Sequence, residues 1–308
     1  MRIVFFGTPS FAIPSLNALI QSGHHLVAAV TRTDKRKGRN TLPAPSPVKE
    51  FAVSRGIRLF QPSSLKDSIF KGELSLLSPD AIVVVAYGKI LPVEILGLPA
   101  YGCINVHASL LPAYRGAAPV QWALINGEER TGVTTMLMNE GLDTGDILMQ
   151  EEAVIDKDDT VETLGRRLSE TGASLLIKTL EARERGTVRP FPQSGIPSYA
   201  PPLKKEHGRI DWTKTSREIS SLVRGVYPWP GAYCYLNGER IKIIRAEFVE
   251  GHGIPSRIEK AREGEFLVGT GNGLLSIVTV QPEGKKPMSS GSFLLGRKIM
   301  EGTSFDGI

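Results

Sequence analysis

The sequence predicts an α/β protein, an open and mostly parallel sheet followed by a smaller, purely β unit. Three observations lead there. Short apolar runs alternate with helix-like segments through the first half. One run, Ala81 to Ala86 (A-I-V-V-V-A), is continuous and rich in β-branched residues, as in a strand buried on both faces. Beyond His207 the pattern changes to short alternating segments separated by Gly and Pro turns.

Taken in order, Ile3 to Phe6 reads as a strand and Ile13 to Ser22 as a helix ending at Gly23. Leu26 to Thr31 is a second strand, Pro47 to Arg55 a helix stopped by Gly56, and Arg58 to Phe60 a short strand. After Ala81 to Ala86 come a strand at Cys103 to Val106 and a helix at Val120 to Asn126, closed by Gly127. Thr131 to Met138 and Ile147 to Glu152 read as two more strands. Val161, Leu164, Leu168, Leu175, Leu176 and Leu180 recur at helical spacing, so Thr160 to Arg185 is a long amphipathic helix. Five prolines between Pro190 and Pro202 exclude a regular element and suggest an extended linker. A helix at Ser216 to Val226 then precedes strands at Ala232 to Leu236, Arg240 to Phe248, Gly264 to Val268 and Leu274 to Val280. The expected organisation is a Rossmann-like domain over 1–189, a Pro-rich linker over 190–206 and an OB-like barrel over 207–308.

The 308 residues, 41% of them hydrophobic, suffice for two cores. Cys103 and Cys234 lie far apart without metal-like spacing, so neither a disulfide framework nor a metal site is expected, and a reducing cytoplasm is. The opening apolar run breaks at Gly7-Thr8-Pro9, too early for a signal core or a membrane span. A net charge of +5 decides little, but Arg32 to Arg39 (R-T-D-K-R-K-G-R) concentrates five basic residues against one acidic. That segment is either a solvated loop or a binding loop for a polyanion.

A doubly wound sheet invites a dinucleotide. The first strand-to-helix turn, Gly7-Thr8-Pro9-Ser10-Phe11, lacks G-x-G-x-x-G, and Pro9 cannot let a pyrophosphate approach the backbone as a second glycine does. No G-x-x-x-x-G-K-[ST] loop is present either. NAD and ATP are therefore not expected.

Ligands of such sheets bind beyond the carboxyl ends of the strands. Asn105 and His107 run off one such end on the same face. The plain reading is a polar pair tying down the next loop. The chemical reading is acyl transfer: an amine attacking a carbonyl builds charge on oxygen, which an Asn amide and an imidazolium can meet. The amine's proton needs a base, His or a neighbouring carboxylate. Asn139 to Asp146 (N-E-G-L-D-T-G-D) supplies acids in a Gly-punctuated loop, which can equally be an ordinary hairpin. No paired Ser or Cys nucleophile is evident, and Cys103 reads as a core residue, so direct transfer is the simpler chemistry.

The stretch Asn105 to Gly116 (N-V-H-A-S-L-L-P-A-Y-R-G) resembles the N-x-H-x-S-L-L-P-x-Y-R-G signature of folate-dependent formyltransferases, and Gly141 to Asp146 (G-L-D-T-G-D) resembles their aspartate loop. The likeness extends to Ile3 to Pro9 and to Pro45 to Lys49. It implies 10-formyltetrahydrofolate as co-substrate, no metal, and Asn105, His107 and Asp143 as the catalytic trio. By that analogy Asn105 polarises the formyl oxygen, while His107, oriented and kept protonated by Asp143, stabilises the oxyanion. Ser109, Leu110, Leu111 and Pro112 match one wall of the folate pocket. Ala86, Tyr87, Gly88, Lys89, Ile90 and Leu91 match the other. The role of Arg115 stays open.

The resemblance also bears on the acceptor. Members acting on methionyl initiator tRNA carry an insertion after the second strand that enters the acceptor stem, and Lys35, Arg36, Lys37 and Arg39 fall there. Asn40 and Thr41 depart from the glycine and lysine common after that arginine. Residues 207–308 hold 14 Lys and Arg against 11 Asp and Glu, a thin excess on a fold often used on nucleic acids. Lys204 and Lys205 either extend a basic track or are simply solvated. A cytoplasmic monomer that formylates methionyl initiator tRNA is expected. An amino sugar nucleotide formyltransferase or a formyl-folate hydrolase would keep the trio without needing the basic loop. A non-catalytic folate or RNA binder would be expected to have lost a member of it.

Overall fold

The computed structural model describes residues 1–36, 43–262, 265–297 and 299–306. The chain forms two compact units. One comprises Met1–Pro119, Arg130–Val154 and Gly165–Pro201, the other Val120–Glu129, Ile155–Leu164 and Pro202–Ile308. The division is thus not a single cut near residue 190, because two inner segments group with the C-terminal part. The proline-rich residues 190–201 belong to the first unit, where Tyr199–Ala200 pairs in parallel with Arg115–Gly116.

The first unit holds a seven-stranded sheet. Its strands are β1 (Arg2–Gly7), β2 (His25–Val30), β3 (Leu59–Phe60), β4 (Ala81–Val85), β5 (Cys103–His107), β6 (Arg130–Leu137) and β7 (Ile147–Val154), in the order β7-β6-β5-β4-β1-β2-β3. The strands from β5 to β3 run parallel, while β6 and β7 are antiparallel to their neighbours. Central strands read as continuous apolar runs because both faces are covered: Ile3, Val4, Phe5 and Phe6 are fully buried, as are Ala81, Ile82 and Val83. Helices α1 (Ile13–Gln21) and α2 (Pro47–Ser54) appear as expected, the latter capped by Ser46, whose hydroxyl accepts from the Lys49 amide at 3.1 Å. Sequence reading misses α3 (Ser68–Leu76) and the short α4 (Val93–Leu96). In α3 only Phe70 and Leu74 are buried while Ile69 and Leu76 are exposed, so its apolar residues do not mark one face.

Helices α5 (Pro119–Ile125) and α6 (Val161–Glu184) are each divided between the units, α6 lying mostly in the first, and in the second unit α7 (Ser216–Gly225) starts with Thr215 and Glu218 capping each other's backbone. Strands β8 (Ala232–Leu236), β9 (Glu239–Val249), β10 (Ile258–Arg262), β11 (Glu265–Gly269) and β12 (Leu274–Pro282) form an antiparallel sheet in the order β8-β9-β12-β11-β10. Strand β10, with the charged run I-E-K-A-R, escapes prediction because alternation is blurred. Residues 304–306 bridge toward both edges: Asp306 pairs with Tyr235 of β8, and Ser304 with Arg257 next to β10. Covering both edges gives the sheet its barrel-like character and removes exposed ladder groups. Trp212 stacks on Phe305 inside, with ring centroids 5.0 Å apart. A last helix, α8 (Ser290–Leu295), buries Phe293 in the same core.

Both cysteines are buried and unpaired. Burial pushes the Cys103 thiol from 9.0 up to about 12 and raises that of Cys234 as well. An unfolded thiol ionises near its ordinary value and a folded one does not. This contribution to stability is therefore complete below about pH 9 and is lost as pH rises toward 12. A thiol reagent at pH 8 is expected to label neither cysteine until the chain is unfolded; fast stoichiometric labelling of the native protein would contradict the burial.

Candidate active site

The sheet's chain order reverses at β1, with β2 and β3 on one side and β4 and β5 on the other. In sheets of this kind the diverging connections make the carboxyl ends of β1 and β4, next to β5, the expected place for a ligand. Asn105 and His107 stand at the end of β5, in register with Met136 and Thr134 of β6. Both are almost fully buried. Two residues apart on a strand, they face the same side roughly 7 Å apart along it.

His107 Nε2 lies 3.0 Å from the Tyr114 carbonyl oxygen. A carbonyl only accepts, so Nε2 carries the hydrogen of that bond. Nδ1 faces Asp143 Oδ2 at 3.7 Å, an ion-pair separation longer than a direct hydrogen bond. The Asp143 carboxylate is itself oriented, since Oδ2 accepts from the Gly116 amide at 2.8 Å. Asn105 makes no side-chain hydrogen bond to another described residue, which leaves its amide free to meet a substrate. The trio read from sequence is thus brought together, from one strand end and one loop.

Two loops form this corner, and each depends on close packing. Gly116 has φ +123°, and a Cβ there would stand 2.7 Å from the Ala200 carbonyl oxygen. A methyl on Gly145 would overlap the Leu137 carbonyl oxygen. Ser109 Oγ donates to the Ala113 carbonyl at 2.5 Å, and Thr134 Oγ1 donates to the Ser109 carbonyl at 2.7 Å. Thr134 Oγ1 also accepts from the Leu111 amide at 3.1 Å and from Gln150 Nε2 at 2.9 Å. The 109–114 turn is therefore pinned to β6 and β7.

The folate residues read from sequence divide in two. Ala86, Gly88 and Ile90 are exposed along the 86–91 loop, whereas Tyr87 and Leu91 are buried in the core of the sheet. Burial also pushes the Tyr87 phenol to about 12, so it is not an acid or base near neutrality. Lys89 Nζ turns back onto the Ser63 carbonyl at 3.1 Å. On the facing wall Ser109 and Leu111 are buried, while Leu110 and Pro112 are half-buried. The side chains of Tyr87, Leu91, Ser109 and Leu111 are thus turned into the protein's interior. A cleft of about 460 Å³ is lined by Ile90, Leu91, Val93, Lys66, Lys71 and, from the aspartate loop, Glu140.

Arg115 does not point at an open site. Its Nε and Nη2 donate to Gln193 Oε1 at 3.1 and 2.6 Å. Gln193 itself escapes sequence reading, since a lone amide among prolines gives no periodic signal. Of the basic residues, Lys35–Arg36 forms a two-residue strand against Pro43–Ala44, and Lys37 and Arg39 lie outside the described residues. Nearby, Asp34 is held below the usual carboxylate range by hydrogen bonds from Lys49 and Gln61. Lys204 and Lys205 are exposed on the second unit, with Lys204 Nζ 4.0 Å from Glu206. Among the described residues no group of three or more His, Cys, Asp or Glu is placed to hold a metal ion, and no helix is long and apolar enough to cross a membrane.

Comparison with known proteins points to one family. The family profile described as formyl transferase matches residues 1–180, and the formyl transferase C-terminal domain matches 202–298. The methionyl-tRNA formyltransferase of Thermodesulfovibrio yellowstonii is 54% identical over 97% of this chain and 97% of that protein. Its counterpart in Pelotomaculum thermopropionicum is 50% identical over 98% and 97% respectively. The solved N-formyltransferase of Helicobacter canadensis, in complex with folinic acid and dTDP-3-aminofucose, superposes with a TM-score of 0.69 at 21% identity, covering 91% of this chain and 98% of that one. At that identity the likeness is one of fold.

Proposed function

The chain belongs to the methionyl-tRNA formyltransferases of the formyl transferase family, and on that premise we propose how its residues carry out the transfer. The enzyme moves the formyl group of 10-formyltetrahydrofolate to the free amino group of methionyl initiator tRNA. The observation that supports it best is the convergence of Asn105, His107 and Asp143 at the carboxyl end of β5, beside the crevice where such sheets bind ligands.

The amine nitrogen attacks the formyl carbon, and the carbonyl π pair moves onto oxygen. The Asn105 amide and the protonated His107 ring meet that charge with fixed donors in a buried corner, where they need no reorganisation. Collapse of the tetrahedral intermediate breaks the bond from carbon to N10 of the folate, which takes up a proton. The amine's proton leaves to the Asp143 carboxylate, because Nδ1 of the protonated ring already carries one. No covalent enzyme intermediate is needed, and buried Cys103 with its raised pKa is no nucleophile.

Ala86, Gly88 and Ile90 with the 109–112 turn border the folate site, where loop backbone serves the ligand's polar edge. Lys35, Arg36, Lys37 and Arg39, with Lys204 and Lys205, are the residues assigned to tRNA phosphates. The enzyme acts as a cytoplasmic monomer, with catalysis in the first unit and tRNA binding in the barrel-like second unit.

The test is formyl transfer from 10-formyltetrahydrofolate to charged initiator tRNA, free methionine and an amino sugar nucleotide in parallel, repeated as salt is raised. Formylation of the charged tRNA alone is expected, with affinity falling steeply with salt as phosphate contacts are screened. Transfer to the sugar, or folate release without a formylated acceptor, would overturn the assigned substrate. A flat salt response would overturn the phosphate contacts.

A further inference from the structure

We propose that Gln193 is a positioning residue for formyl transfer, whose side-chain amide sets the Asp143 loop against His107; this rests on reading Asn105, His107 and Asp143 as catalytic. The proline-rich segment is a strap fastened at both ends. On one side Phe191 exchanges backbone hydrogen bonds of 3.0 and 2.9 Å with Ile147, just after the aspartate loop. On the other, the Ser198 carbonyl and hydroxyl accept from the Arg115 and Tyr114 amides, each at 2.8 Å. Gln193 lies between these anchors and is half-buried while its neighbours are exposed.

Its amide is fully used. Nε2 donates to the Asp143 and Gly145 carbonyl oxygens at 2.8 Å each, and Oε1 accepts both Arg115 bonds. Carbonyls only accept and a guanidinium only donates, so this orientation of the amide is the one its partners permit. A closed circuit results. Gln193 holds the Asp143 backbone and Arg115, while Gly116, next to Arg115, holds the Asp143 carboxylate. Asp143 needs such holding because its φ is +51°, a left-handed conformation that a non-glycine residue adopts at a cost. Loosening the circuit would let the carboxylate drift from the 3.7 Å separation at which it faces Nδ1.

Chemistry of this kind is sensitive to small displacements, so Gln193→Ala is expected to lower kcat about 100-fold with both KM values little changed. Gln193→Glu keeps an acceptor oxygen for Arg115 but cannot donate to the two carbonyls, and it should fall by a similar factor. In an Asp143→Ala background, Gln193→Ala should remove less than about threefold more. Thermal unfolding is followed in parallel, and Gln193→Glu serves if the alanine variant does not fold. Normal turnover in Gln193→Glu, a raised KM at unchanged kcat, or additive losses in the double variant would each overturn the proposal. Normal turnover in Asp143→Ala alone would instead overturn the catalytic reading beneath it.

Discussion

His107→Ala is expected to lower formyl transfer about 10³-fold or more, with formyl-folate binding retained. Two contributions are lost together. The ring supplies a fixed donor to the developing oxyanion, and its positive charge, opposite Asp143, holds in place the carboxylate that takes the amine's proton. Each kind of assistance is worth about 10²–10³-fold or more in sites of this type. The fold should survive, because the ring sits at the end of β5 and, among the described residues, its side chain is hydrogen-bonded to the Tyr114 carbonyl alone. Single-turnover formylation with saturating charged tRNA would check it, alongside equilibrium binding of the folate. Turnover within a few-fold of the parent would remove His107 from the mechanism.

At Asn105 the expected order is the informative result. Asn105→Ala deletes one oxyanion donor and should cost about 10²–10³-fold in kcat. Asn105→Asp keeps shape and volume but places a carboxylate where negative charge develops, in a residue only 8% exposed. It should therefore be worse than alanine. Measuring kcat for both variants at a pH where aspartate is ionised distinguishes a donor role from a packing role: if shape were what mattered, the aspartate variant would be the better one. A KM effect without loss of kcat would mean that Asn105 binds substrate and transition state equally.

Some elements of this fold are plain in the sequence and others are not, for physical reasons. Strand β4 was plain because a strand covered on both faces must be apolar at every position, and Ala81 to Val85 are. Helix α6 was plain because twenty-four residues give the helical period time to repeat. In contrast, α3 scatters its apolar residues over more than one face, and β10 carries charges on an edge strand where alternation is weak. The division into units was not a matter of local pattern at all. Residues 120–129 and 155–164 look like ordinary parts of the first half, and only contacts assign them to the second.

The site divides in the same way. Residue type and spacing along the chain single out Asn105, His107 and the 139–146 loop, because donors and acids leaving a strand end have few structural reasons to be there, and because they match a family signature. The local sequence also determines the strand alternation that puts Asn105 and His107 on one face. Their meeting with Asp143 is decided only in three dimensions, since the Gly116 amide that orients the carboxylate is 27 residues from it. Gln193 is more remote still, 50 residues from the aspartate whose backbone it holds. A hydrogen bond between distant residues leaves no period in the sequence. Its strength depends on a few tenths of an ångström of placement, and that placement is set by the packed sheet and the strap across it rather than by either residue's neighbours.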